Sequence, residues 1–541
     1  MAGGRSLAAC LLLLLAWLVL LPAASVLATG ADTVAIGRVL RGTTIIANTL
    51  LVGAGTTAIA VTLGATLALL LVRTDTPGRA VLEPLVILPL YVTPLLTAMA
   101  WSWLGSPRSG LLNLLALRTL GMRLIDMHGL AGVIVVASLA ATPLPFLLIA
   151  AALRGMDPAL EDAARLHGAT PARTFARITL PLAAPAAFGA AILVFVQAMG
   201  LFSVPAILGS PGGVTVIGTE IYRLLNAYPP RLPQAAAWGL LLLAITALLV
   251  AAQHAILSRR SFVTMTGKTA RAARVPLGRA RWAAAALAWA YVVLAVVLPV
   301  GTLCWAALVN FVSVDAGLMQ FGLQHVRYVL FTYPKTALAT GNSLLLAALA
   351  AATVSALGFA VGWITVRRRG TLARGVEFLA AAPVAIPSIV LALGVLGTYA
   401  GAAWMPIYGT AWILLVAYVA HFLPFGARAL AAAIRQVHPE LEDAARVCGA
   451  GLFATLRRVV LPLARPSLVA TATLVFVLAT QEVGASILLY TSRSTVLSVA
   501  MFDLWEAGNV SALAALGVMQ LLLTFAVLLA LVGLRQRSVA A

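Results

Sequence analysis

Long apolar runs separated by short polar stretches set the pattern of this chain. They fall near residues 7–28, 47–72, 80–104, 129–153, 182–208 and 234–257, and again near 282–308, 339–364, 376–400, 408–432, 466–490 and 511–534. A helix crosses the hydrocarbon layer with about 20 apolar residues. In lipid, a spanning segment must satisfy its own backbone hydrogen bonds, which selects helices here. The pattern therefore predicts an all-α integral membrane protein with about 12 transmembrane helices, six in each half. The run from Leu7 to Leu27 is long for a signal-peptide core and lacks a clear small-x-small exit. Another apolar segment follows it, so it is read as the first span.

Composition agrees with a bilayer as solvent. Of 541 residues, 62% are hydrophobic and 10% charged, against about 25% charged in ordinary globular domains. The net charge of +20 would suit nucleic acid in a soluble protein. Here it follows from the excess of Lys and Arg on the cytoplasmic side of membrane proteins, so the expected surroundings are lipid and no nucleic-acid partner is expected. With the N-terminus inside, the outer loops hold only Arg38, Arg41, Arg108, Arg118, Arg123, Arg223, Arg231, Arg327, Lys335 and Arg493 of the 36 Lys and Arg residues. The inner side holds Arg367, Arg368, Arg369 and a basic linker at 259–281 without an acidic residue. Both termini and the linker are thus expected in the cytoplasm. "TGKT" in the linker echoes a phosphate loop, but Phe262 stands where that loop needs its first glycine and no strand precedes it. Cys10, Cys304 and Cys448 are too scattered for a disulfide framework, and the histidines show no metal-ligand spacing.

One charged phrase interrupts the apolar pattern, and it occurs twice. "LEDAARLHGATPARTFARITLPLA" begins at Leu160 and "LEDAARVCGAGLFATLRRVVLPLA" at Leu441. Glu442 follows Glu161 by 281 residues, and the same offset joins Gly168 to Gly449 and Pro181 to Pro462. Each copy lies between the fourth and fifth span of its half. The chain therefore reads as two homologous repeats, 1–258 and 282–541, joined by the linker. An even number of spans gives both repeats the same topology, a parallel repeat.

The phrase has a definite physical shape. Asp157-Pro158 suits a helix start, Glu161 and Asp162 favour its positive end, and Gly168 suits the left-handed residue that ends it. Thr170-Pro171 starts a second short helix, expected to close at Leu180-Pro181. In the second copy Gly451-Leu452 replaces Thr170-Pro171, so that helix starts less firmly. Repetition at fixed spacing points to docking of one cytoplasmic partner at two equivalent loops, 157–181 and 438–462, rather than to a plain interfacial hairpin.

These residues resemble the "EAA" loop, E-A-A-x3-G-x9-I-x-L-P, of the membrane subunits of binding-protein-dependent ABC importers. The first copy reads Asp162-Ala163-Ala164, Gly168, Ile178 and Leu180-Pro181; the second reads Asp443-Ala444-Ala445, Gly449, Val459 and Leu461-Pro462. Asp replaces the family's Glu in both, with Glu161 and Glu442 just before. The resemblance implies the type I importer permease fold and seats Glu161 to Ala164, Gly168, Pro181, Glu442 to Ala445, Gly449 and Pro462 in a groove of an ATPase. It implies two ATPase subunits, which hold ATP and Mg while this chain binds no cofactor, and a periplasmic solute-binding protein. Stretches such as "IYRLLNAYPPRLPQAAAWGLLLL" and "SILLYTSRSTVLSVAMFDLWEAG" look like those of ferric-iron-type permeases. Thiamine and aminophosphonate permeases share the architecture, so they are alternative cargo classes.

Within the spans, Gln481-Glu482 stands where the first half has Gly200-Leu201. An ionisable group in a membrane is a functional candidate, and this pair is expected to line the translocation path. His421 is expected near the inner end of the tenth span in a packing role. Pro143, Pro145 and Pro424 are candidates for kinks. A secondary transporter is the rival class, which predicts paired carboxylates or broken helices at a midplane site. An enzyme has no nucleophile–base constellation to support it.

Overall fold

The computed structural model describes residues 2–258, 275–309 and 320–540. Most of the basic linker, with "TGKT" and Lys268, lies outside the described residues. Among those described, nine continuous helices are long and apolar enough to cross a bilayer, or up to 12 if each of three bent pairs is one span. They follow the predicted runs in order. The first half has Ser6–Gly30, Thr43–Arg73, Arg79–Tyr91 with Pro94–Gly105, Leu130–Ala141 with Pro143–Arg154, Phe175–Met199 and Leu232–Gln253. The second has Ala280–Leu308, Lys335–Arg367, Thr371–Ala385 with Ser388–Tyr399, Ala411–Gln436, Leu452–Thr480 and Val510–Ala530.

Four features depart from the predicted elements, and proline explains most of them. The third and ninth spans are broken, by 98° and 111°. Each break falls at a proline, Pro94 or Pro387, whose preceding residue is held out of the helical region: Thr93 has ψ 136° and Ile386 ψ 109°. The fourth span bends by 40° at Thr142-Pro143, whereas its counterpart runs through Pro424 as one helix. The second short helix of each charged phrase does not close at its Leu-Pro. The helical segment beginning at Pro171 continues through Pro181 to Met199, and that beginning at Leu452 continues through Pro462 to Thr480. Finally, the fifth and eleventh spans end at Met199 and Thr480, earlier than predicted.

A wide turn is what lets a helix pass a proline. Proline lacks an N–H, and its ring collides with the carbonyl four residues back. Four π-helical turns relieve that collision, each ending two residues before a proline: Ala16–Leu20, Phe175–Thr179, Val293–Val297 and Leu456–Val460. The prolines are Pro22, Pro181, Pro299 and Pro462.

The described chain forms two compact units that do not follow the sequence halves. One comprises Met1–Arg41, Ile221–Leu243 and Gly322–Ala541; the other comprises Gly42–Glu220 and Ala244–Phe321. In the first unit the first span packs on the ninth, with Trp17 edge-on to Tyr399 at 6.3 Å and Leu12 against Gly375. The eighth and tenth spans cross closely: a Cβ on Gly358 would lie 2.7 Å from the backbone of Gly426, so only glycine fits. In the second unit the seventh span packs along the third and touches the fourth, where the Tyr291 hydroxyl donates to the Leu139 carbonyl at 3.1 Å. Each unit ties the first turns of a long span to a loop in the same manner. Asn48 donates to the Thr215 carbonyl and Thr49 accepts from the Ile217 N–H; Asn342 donates to the Thr495 carbonyl and Ser343 accepts from the Leu497 N–H.

Candidate functional site: two rooted loops and a polar cluster

The charged phrase folds into a short helix, Pro158–Leu166 in the second unit and Pro439–Val447 in the first. Asp157 caps the first copy by accepting from the Ala159 N–H at 2.9 Å. His438 stands at the second copy's cap without a side-chain hydrogen bond. Both helices end at a left-handed glycine, Gly168 with φ 77° and Gly449 with φ 83°. The following amide closes each turn, Ala169 N–H to the Ala164 carbonyl and Ala450 N–H to the Ala445 carbonyl, both at 3.0 Å.

The two acidic residues of each phrase point in different directions. Glu161 and Glu442 are buried, while Asp162 and Asp443 are exposed. Arg73, at the end of the second span, donates from Nη2 to Glu161 Oε1 at 2.8 Å. Thr179 donates its hydroxyl to the same oxygen at 2.7 Å. In the other copy, Arg367 at the end of the eighth span donates from Nε to Glu442 Oε1 at 2.6 Å, and Trp363 donates its indole N–H to Oε2 at 3.1 Å. Arg367 Nη2 also donates to the carbonyls of Ile434 and Val437. A buried glutamate bonded to a span-end arginine therefore roots each helix to the membrane domain. Asp162, Ala163, Asp443 and Ala444 remain on the open side, with Leu160, Leu166, Leu441 and Val447 exposed beside them. Pro181 and Pro462 are also exposed, on the helices that leave the loops.

Glu482 lies in the turn just after the eleventh span rather than within its helix. Its Oε1 accepts from the Ala485 N–H at 2.9 Å, and its carbonyl accepts from the hydroxyls of Ser486 and Ser498 at 2.7 and 2.8 Å. His421 is not near the inner end of its span. It lies 13 residues before Ile434, roughly 20 Å along the helix, and its Nε2 is 3.9 Å from Glu482 Oε2. Gln481 is half-buried beside Glu482.

A separate polar group lies in the first unit at the end of the eighth span opposite Arg367. Lys335 is paired with Asp503 at 2.6 Å, and Tyr222 donates its hydroxyl to Glu506 at 3.2 Å. Burial, with Asp503 and Tyr328 adding to it, pushes the Tyr333 phenol up to about 12. Burial, reinforced by Glu506, also raises Tyr222.

Sequence reasoning found the loops but missed Arg73, Thr179, Arg367 and Trp363. Arg73 and Arg367 carried a usable signal, since both end a long span and stand 294 residues apart, as do Asn48 and Asn342.

A helical membrane fold with two rooted loops of repeated sequence defines a permease made of two homologous repeats. The family described as "binding-protein-dependent transport system inner membrane component" matches residues 60–263 and 344–539, and the chain belongs to it. It is thus a multi-pass inner-membrane permease component of a binding-protein-dependent transport system. Broken spans, expected of a secondary transporter, occur here within this family. The chain is 26% identical to the ferric transport system permease protein FbpB of Actinobacillus pleuropneumoniae, over 74% of this chain and 58% of that protein. It is 27% identical to a probable ABC transporter permease protein of Sinorhizobium fredii, over 79% of this chain and 76% of that protein. It is 32% identical to the molybdenum transport system permease protein ModB of Escherichia coli, over 29% of this chain and 69% of that protein. The match thus spans just over half the length of the ferric permease.

Proposed function

We propose that this chain is the fused permease of an ATP-driven importer that carries ferric iron from a periplasmic binding protein to the cytoplasm by alternating access. The observation that carries the reading is the pair of rooted loops. Each offers an exposed acidic and apolar helix outward and transmits its position inward through a buried Glu–Arg pair. Two loops suit two ATPase subunits, which hold ATP and Mg. On this reading Glu161 and Glu442 set the helices, while Asp162, Ala163, Ala164, Asp443, Ala444 and Ala445 face the ATPase. Gly168 and Gly449 form the elbows, and Pro181 and Pro462 lie where each loop runs into its span. Both termini and the linker are cytoplasmic. Gln481 and Glu482 line the path of the solute.

Iron as cargo is supported by the ferric permease relative and by the stretches containing Tyr222 and Asp503. Selectivity then rests with the binding protein, since the permease spans hold few carboxylates for a hard cation. Deletion of the gene is expected to abolish uptake of radioactive ferric iron under iron limitation and to leave thiamine and aminophosphonate uptake intact. Intact iron uptake with loss of one of the others would reject the cargo and keep the importer.

A further inference from the structure

The two repeats differ most clearly in chemistry at one place. In the second half Tyr418, His421, Glu482, Ser486 and Ser498 form a contiguous polar group within the first unit. The first half has Ala137, Ala140, Leu201, Pro205 and Gly218 at the aligned positions. A purely structural polar core would serve both halves. This group has no counterpart in the first repeat.

Its geometry separates support from reactive edge. Tyr418 and Ser486 share a hydrogen bond at 2.7 Å, and both are buried. Ser486 and Ser498 hold the Glu482 carbonyl, and the Ala485 N–H holds Oε1. The carboxylate is therefore fixed by one oxygen, and Oε2 faces His421 Nε2 at 3.9 Å. That separation is too long for a hydrogen bond. It fits two donors sharing one metal ion, since ligands at roughly 2.0–2.4 Å from a cation stand about 3–4 Å apart at tetrahedral and octahedral angles. His421 Nδ1 is buried and has no protein partner among the described residues.

Both side chains keep an open edge, 12% for Glu482 and 23% for His421. A carboxylate edge turned to lipid is costly, so this edge opens on water or on passing solute. Gly484 leaves the space beside it: an added Cβ would lie 3.3 Å from Glu482 Oε1 and would collide with the Ser388 hydroxyl at 2.5 Å. Ser388 starts the second limb of the broken ninth span, so the site lies against a helix break inside the membrane domain.

We propose that His421 and Glu482 form a two-donor site, carried by the second half alone, which a metal cation occupies in passage. Tyr418, Ser486 and Ser498 are positioning residues that hold the Glu482 turn. The inference rests on the importer reading and narrows the cargo to a cation, because a fixed carboxylate repels an anion at this range. The site is weak by construction, with two protein donors and the remaining positions left to water. Release toward the cytoplasm requires such weakness.

The test has two arms. In the first, purified full-length permease in lipid nanodiscs is titrated with Co2+, and the visible absorption of a nitrogen–oxygen site is followed. The wild type is expected to show one saturable site per chain that His421→Gln and Glu482→Gln each remove. Glu482→Asp, which keeps the charge but withdraws the oxygen, should weaken it at least tenfold. In the second, the complex with its ATPase and iron-loaded binding protein is reconstituted in liposomes, and uptake of radioactive ferric iron is measured. Both Gln variants should slow uptake at least tenfold, with the double variant no worse than the slower single one. Equal cobalt binding by wild type and both variants, or no binding at all, overturns the site even if iron is transported. Cobalt binding lost in the variants, with no iron uptake by the wild type, keeps the site and rejects iron as the cargo.

Discussion

Removing each rooting glutamate should loosen its loop by an amount set by what the orphaned arginine has left. Glu161→Ala leaves Arg73, 8% exposed, with only a long contact to Met156 Sδ at 3.6 Å. Its Nε and Nη1 already lack a protein partner among the described residues, and Thr179 loses its acceptor. An uncompensated buried charge of this kind costs about 3–5 kcal/mol. Glu442→Ala is less severe. Arg367 keeps two carbonyl acceptors, from Ile434 and Val437, and the main orphan is the Trp363 indole N–H. An unmatched buried donor costs about 1–3 kcal/mol.

The relevant quantity is the local opening of the short helix, because a chain of this size has no single two-state unfolding energy. Amide hydrogen exchange reads it directly. In Glu161→Ala, the amides of His167 and Ala169 should exchange on the order of 10²–10³-fold faster than in the wild type, at about 1.4 kcal/mol per tenfold. In Glu442→Ala, those of Cys448 and Ala450 should accelerate about 10–100-fold. Unchanged protection in both variants would remove the rooting role. A larger effect at Glu442 than at Glu161 would refute the reasoning from residual partners. The replacement of Arg73 by Met together with Glu161 by Leu supplies a control. An apolar pair of similar volume is often neutral for stability, so protection should return.

Three further outcomes follow from the geometry and from the basic-residue bias. Gly168→Trp and Gly449→Trp should insert normally, because an added Cβ meets nothing within 4 Å and the left-handed backbone costs about 1–2 kcal/mol. ATP hydrolysis in the complex should then no longer respond to the loaded binding protein, and near-normal uptake in the double variant would reject the docking role. Reporters fused at Lys268 should be active in the cytoplasmic form only, and a strong periplasmic signal there would break the six-plus-six topology. Gly484→Ala should lower iron uptake severalfold by crowding Ser388 and Glu482, with wild-type uptake counting against a site at that turn.

Much of the fold was legible because lipid leaves few choices. Among the described residues the twelve apolar runs match nine continuous candidate spans and three bent pairs. The broken third and ninth spans were not foreseen, although Val92-Thr93-Pro94 and Ile386-Pro387 carried the local signal. A proline alone does not distinguish a break from a passage: Pro181 and Pro462 are passed through a π turn, while Pro94 and Pro387 end a limb. The difference lies in the preceding residue, helical at Leu180 but extended at Thr93 and Ile386. The site was legible in part. The repeated phrase announced itself by spacing, yet which acid turned inward depended on an arginine 88 residues away in the chain for Glu161. His421 was misplaced because sequence fixes its span but not its level along it.

The pattern of sameness and difference between the repeats bears on mechanism. Both keep a span-end arginine bonded to a buried glutamate, an elbow glycine, and an asparagine that ties a long span to a loop carbonyl. These are the parts through which a symmetric partner would act, and symmetry there requires the same residues twice. The Glu482 group is kept once. On the proposed function the solute passes as a single ion, so a second carboxylate at the aligned position would add a desolvated charge and strengthen retention. Replacing Leu201 by Glu, at that aligned position, should therefore slow release rather than improve transport. In single-turnover uptake, iron should leave the binding protein at the wild-type rate but appear in the vesicle lumen more slowly. Faster appearance would mean that Glu482 aids entry alone and that the apolar first half is not tuned for release.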